Sequence, residues 1–262
     1  MEKKRAILAV SFGTSYADTC AKTIEALEQE MQKTYPQCPV YRAWTSGMIR
    51  RKVEKRDGVH IFSVKEALEQ MHRDGITEVA VQPTHVLNGI ENDRMLETIA
   101  EARHDFEAIA VGNPLLTTQE DLERVTSLLK SIWNPAEEEM VVFMGHGTEH
   151  DSDMAYAALN YRFWINGCEK SMVMGTVEGY PGIEEVLETV VKAGVRTVIL
   201  TPFMIVAGDH ANHDLAGEEE DSWKSQFEKA GYSVKCVLKG LGEYEEFRQI
   251  FVDHLADAMK TM

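Results

Sequence analysis

Eight short apolar runs, each followed by a stretch of helical period, limit what this chain can fold into. The runs read as strands at Arg5–Ser11, Val40–Trp44, Glu78–Thr84, Ala108–Val111, Met140–Met144, Ser171–Thr176, Thr197–Ile205 and Ser233–Leu238. The segments between them are amphipathic. In DTCAKTIEALEQEMQKTY, Cys20, Ile24, Leu27 and Met31 fall on one helical face. In SVKEALEQMHRDG, Ser63 and Glu66 have the spacing of a capping box, and Gly75 sits where a helix would stop. Strand and helix alternating from end to end predict an α/β fold, with parallel sheets flanked by helices.

The alternation also comes in duplicate. A proline and a charge run in SIWNPAEEE separate two sets of four units, so an N-terminal α/β domain is expected over residues 1–134 and a C-terminal one over 135–262. AVSFGTS lines up with FMGHGTE, and YRAWTSGM with VMGTVEGY. TEVAVQPTHVLNGIEND lines up with RTVILTPFMIVAGDHAN. Three in-order matches at strand ends point to an internal duplication, the other reading being chance likeness within the strand-glycine-helix grammar that β-α units share. The mismatches carry the chemistry. Phe12 is replaced by His146, Ser46 by Glu178 and Glu91 by His210. The second half therefore gains three ligand-type side chains, each just past a strand end, where open α/β sheets bind ligands.

Composition excludes several classes. A net charge of −16 over 262 residues argues against an electrostatically driven nucleic-acid binder and against attraction to anionic lipid. The opening MEKKRAILAVSFGTS lacks the length and cleavage site of a signal peptide and reads as the first strand. No apolar stretch reaches transmembrane length. Cys20, Cys38, Cys168 and Cys236 are scattered, with no Cys-x-x-Cys, as expected of reduced, mostly buried thiols. A soluble, cytoplasmic chain is expected. Nothing gives the oligomeric state, and a homo-oligomer stays open.

The loop GHGTEH is not a dinucleotide fingerprint, because His150 stands where the third glycine belongs. No Walker-type P-loop occurs anywhere. His146 could instead be a histidine bonded to its own loop. Its flanking glycines, and two partner positions of ligand type, favour a metal site of two imidazoles and a carboxylate, suited to zinc, cobalt, nickel or iron(II). In GDHANHD, His213 lies three residues after His210, and exposure is the favoured reading for it. The acidic run GEEEDSW reads as a solvated first helical turn. MIRRKVEKRDG carries Arg50, Arg51, Lys52, Lys55 and Arg56, either a solvated helix face or a clamp for carboxylates of a polyanionic substrate.

VSFGTSYADTC, SGMIRRK, QPTHVLNGIE, VFMGHGT, VEGYP and VAGDHANHD…EEEDSWK together resemble the anaerobic cobalt chelatases of the CbiK type, class II tetrapyrrole chelatases. The likeness runs from about residue 5 to 255. It implies two similar Rossmann-like domains with a cleft between them. The implied reaction is ATP-independent insertion of Co2+ into sirohydrochlorin, or its precursor precorrin-2, in cobalamin synthesis, with no obligatory cofactor. The family's metal ligands correspond to His146, Glu178 and His210, and its further acidic position to Glu91, so His146, His210 and Glu91 are the candidate catalytic groups. Ser11, Phe12, Gly13, Thr14, Ser46, Arg50, Arg51 and His85 are expected to contact the tetrapyrrole, with structural support the other reading of His85. His213 departs from the family pattern. An iron or nickel chelatase, and a delivery protein without turnover, remain as alternatives.

Overall fold

A computed structural model describes residues 4–262. Two compact units appear, Met1–Thr117 with Gly242–Met262, and Thr118–Leu241. In the first, strands β1 (Arg5–Ser11), β2 (Val40–Trp44), β3 (Glu78–Pro83) and β4 (Ala108–Val111) form one parallel sheet in the order β2-β1-β3-β4. In the second, β5 (Glu139–Gly145), β6 (Met172–Thr176), β7 (Thr197–Pro202) and β8 (Ser233–Cys236) repeat it as β6-β5-β7-β8. The central strands are almost uninterrupted apolar runs because helices cover both faces.

The first unit carries helices α1 (Ala17–Cys20) and α2 (Ala26–Thr34), joined by a π turn, then α3 (Gly47–Asp57), α4 (Val64–Arg73) and α5 (Ile90–Ala102). Cys20, Ile24, Leu27 and Met31 are buried along one face, as their period requires. The capping box of Ser63 and Glu66 starts α4, and Gly75 follows its end at a φ of +73°. Leu68 and Met71 of α4 join Leu8, Val10 and Val81 in the core. The second unit has α6 (Gln119–Ile132), α7 (Met154–Ile165), α8 (Ile183–Ala193) and α9 (Trp223–Lys229). Its core gathers Met140, Val142, Leu200 and Phe227. Among the described residues, no helix is long and apolar enough to cross a membrane.

The repeat extends to single hydrogen bonds. Ser46 N–H donates to the Phe12 carbonyl at 3.2 Å, and Glu178 N–H to that of His146 at 2.8 Å. Thr84 donates to Val10 at 2.8 Å, and Phe203 to Met144 at 2.7 Å. The aligned positions are thus equivalent within their own sheets, which supports the duplication read from sequence.

The division differs from the one expected at 134/135. Helix α6 packs on α7 through an Arg162–Glu123 ion pair of 2.9 Å and a Lys130 bond of 3.1 Å to the Asn166 carbonyl. It therefore belongs with the second unit, and the proline-containing stretch is a connection inside that unit. The terminal helix α10 (Glu245–Met259) packs instead on β3, β4 and α2 of the first unit. Its Phe247, Ile250, Phe251 and Leu255 are fully buried, and His254 Nδ1 lies 3.0 Å from the Asn113 carbonyl. The helix following the fourth strand of each sheet is therefore taken up by the other unit. The strand expected over Thr197–Ile205 also ends early, at Pro202, where the chain leaves the sheet.

Candidate metal centre

Three strand ends of the second unit bring His146, Glu178 and His210 together. One ligand atom from each lies within 4.8 Å of the others. His146 follows β5 directly, and Glu178 lies two residues beyond β6. The imidazole rings of His146 and His210 stand edge to face, with centroids 4.6 Å apart. His146 and His210 are half-buried and Glu178 is exposed, so an ion can enter from solvent.

Two glycines make this convergence possible. Gly147 has φ +84°, in the left-handed region, and a side chain there would collide with the backbone of Glu178 and Gly179. A side chain at Gly179 would collide with the Asp153 carboxylate. The Gly-His-Gly and Glu-Gly pairs therefore let two loops pack backbone to backbone. Beneath them lies Tyr156, whose ring occupies the space a side chain at Gly145 would need. Burial pushes the Tyr156 hydroxyl well above the usual tyrosine range, against the opposing pull of the Gly147 and His146 backbone amides.

Each histidine has one nitrogen already engaged. His146 Nδ1 lies 2.8 Å from the Gly147 carbonyl and 3.9 Å from the Glu178 carboxylate. A carbonyl only accepts, so Nδ1 is the donor there and Nε2 is the nitrogen left for a metal. His210 Nδ1 lies 2.7 Å from the Asp214 carboxylate, which leaves its Nε2 for a metal. This pair sits on a short helical segment whose π turn, Ala211–Leu215, is anchored by buried Ala211 and Leu215. Asp214 is four residues after His210, a spacing that sequence reading passed over in favour of His213. His213 is exposed, with Nδ1 3.1 Å from the Asp209 carbonyl, and is no member of the trio. The acidic residues Glu218–Asp221 also differ from expectation. They precede α9 rather than opening it, because Ser222 takes the N-cap and its hydroxyl accepts the Ser225 N–H at 3.1 Å.

Residues of the first unit named as tetrapyrrole contacts have varied surroundings. Phe12 is 46% exposed at the end of β1. Gly13, at φ +102°, lies against the Trp44 ring. Ser11 is buried and accepts from the Thr84 hydroxyl at 2.9 Å, while the buried Thr14 accepts from Tyr16 N–H at 3.2 Å. Ser46 caps α3. Arg50 reaches Glu66 at 3.1 Å and the Ile61 carbonyl at 3.4 Å, whereas Arg51 is exposed. Glu91 pairs with Arg94 at 3.0 Å in the first turn of α5. Both ring nitrogens of His85 are buried without a hydrogen-bond partner, and Asn92 lies beside it without bonding geometry. Burial pushes His85 down to about 4, opposed by nearby Glu91 and Asn92.

The family model for cobalt chelatase (CbiK) matches residues 5–260. The sirohydrochlorin cobaltochelatase of Salmonella typhimurium is 38% identical, over 98% of this chain and 97% of that one. Sirohydrochlorin cobaltochelatase CbiKC of Nitratidesulfovibrio vulgaris is 33% identical, over 99% of this chain and 92% of its own. Among solved structures, SirB from Bacillus subtilis with Fe3+ superposes with a TM-score of 0.68 at 17% identity, covering 98% of this chain and 97% of that chain, which shows the shared fold. Two matching parallel sheets, a family-model match from residue 5 to residue 260 and relatives at 38% and 33% identity have one reading: this chain belongs to the CbiK cobalt chelatase family.

Proposed function

We propose that this chain inserts Co2+ into sirohydrochlorin, or the more reduced precorrin-2, as a cytoplasmic enzyme of cobalamin synthesis. The observation that carries the reading is the open trio of His146, Glu178 and His210. Three protein ligands leave coordination positions for the incoming ring nitrogens, and the absence of thiolate from the trio favours release over storage.

Insertion must remove two pyrrole protons and exchange the metal's waters for ring nitrogens. His146 and His210, with Glu178, hold the substrate Co2+. Asp214 keeps the His210 ring in the tautomer whose Nε2 can bind metal, and the Gly147 carbonyl does the same for His146. As the ion leaves the trio, the freed imidazole can accept a pyrrole proton. Glu91 is proposed to serve the proton path. The peripheral carboxylates of the tetrapyrrole take contacts from Arg51, with Arg50 behind it. Ser11, Phe12, Gly13, Thr14 and Ser46 shape the strand-end surface that the ring meets. Each step is proton transfer or ligand exchange, so none calls for ATP.

The test is a multiple-turnover assay with sirohydrochlorin and Co2+, Fe2+ or Ni2+, followed by the macrocycle's absorption. Many equivalents of cobalt product per chain are expected. A single stoichiometric complex would make the chain a delivery protein, and faster turnover with Fe2+ or Ni2+ would reassign the metal.

A further inference from the structure

We infer that the turn leading into α7, and Asp153 above all, sets the spacing between two of the metal ligands. Asp153 touches no ligand atom of the trio. Its carboxylate accepts the Thr148 N–H at 2.9 Å through Oδ1 and the Tyr180 N–H at 2.7 Å through Oδ2. Thr148 lies two residues after His146, and Tyr180 two residues after Glu178. One carboxylate therefore ties both ligand loops, using one oxygen for each. The Glu178 N–H bond to the His146 carbonyl joins the same loops directly, and Gly147 and Gly179 leave no room between them.

Charge explains why this position suits an aspartate. Both donors are backbone amides that the sheets do not use, and a carboxylate accepts from two such groups more strongly than a neutral side chain. An asparagine of the same shape would keep one acceptor and turn its NH2 against the other amide. Tyr156, one turn further on, braces the same loop from below, with the His146 and Gly147 amides at its hydroxyl. The second unit thus holds its ligand pair pre-formed, instead of leaving two exposed loops to be ordered by the ion. Asp153 is a positioning residue.

This inference rests on the metal reading of the trio, and the test separates the two. Binding of Co2+ alone, without tetrapyrrole, is followed by its visible d–d absorption in wild type, Asp153→Asn, His146→Ala and Glu178→Ala. Asp153→Asn is expected to weaken Co2+ binding about tenfold, the lower end for an outer-sphere partner, and to alter the band shape while leaving KM for the tetrapyrrole unchanged. Gly179→Ala, which pushes into the same carboxylate, should reproduce the change, and it serves as the readout if Asp153→Asn does not fold. Wild-type affinity and spectrum in both variants, with His146→Ala and Glu178→Ala impaired, would overturn the role of Asp153 alone. Wild-type affinity in His146→Ala and Glu178→Ala would overturn the metal site itself.

Discussion

At the scale of the residue, the proposed role of the trio makes its two imidazoles share one ion, so they should fail together. His146→Ala and His210→Ala are each expected to lower insertion by about a hundredfold or more with normal folding. The double variant should be little worse than either single, because groups that act as a unit are not additive. Near-normal turnover in both single variants would end this reading. His85 supports a different experiment. Its folded value, about 4, lies below the ordinary 6.5, so between these pH values the unfolded chain binds more protons than the folded one. Its contribution to stability is therefore full above about 6.5 and is lost as pH falls towards 4. His85→Met, which places at this position the residue found at 204 in the repeat, should flatten that loss; urea titrations at several pH values from 7 to 4.5 would show it. An unchanged pH slope would mean that the ring is not held neutral by burial. The trio was legible in sequence because three residue types broke the symmetry of a repeat. Asp214 could have been found by its i+4 spacing. Asp153 and Tyr156 could not, since their partners are backbone amides of loops brought together only by the fold.

At the scale of the element, helix α3 carries the basic residues, and its charges have unequal freedom. Arg50 is held by Glu66, and Arg56 by Asp57 and the Ser15 carbonyl, while Arg51 and Lys52 face solvent. Replacing Arg51 and Lys52 by glutamine should raise KM for sirohydrochlorin roughly fivefold to tenfold and weaken its dependence on salt, on the scale of exposed charge pairs. Co2+ binding without tetrapyrrole should hardly move. A KM equal to wild type would leave α3 as a solvated face. The central strands β1 and β5 were legible to within a residue because, buried on both sides, they are nearly unbroken apolar runs, whereas β7 and β8 end three and two residues before the apolar run does. The acidic run before α9 was not, because a carboxylate stretch reads alike before a helix and inside its first turn. Only the Ser222 cap distinguishes the two.

At the scale of the whole molecule, sequence reading found two similar α/β units but drew their boundary as a single cut. The alignment that exposed the repeat covers strand ends, and it says nothing about which sheet a following helix packs on. Helix α10 buries Phe247, Ile250, Phe251 and Leu255 in the first unit, each worth about 1.5–3 kcal/mol. Together they rival the roughly 5–15 kcal/mol that holds a domain folded. A chain ending at Leu241 should therefore keep the second unit's protection from hydrogen exchange and its Co2+ binding, while the first unit loses protection. Equal protection in both units would show that α10 is dispensable. The same arrangement orders events on the ribosome. Residues 118–241 emerge as a contiguous unit, whereas the first sheet must wait for residues 242–262, on the order of ten seconds at ordinary rates of translation. During that interval β3 and β4 are nascent strands without their covering helix, and the N-terminal unit is the part of this chain that would depend most on chaperones while it is being made.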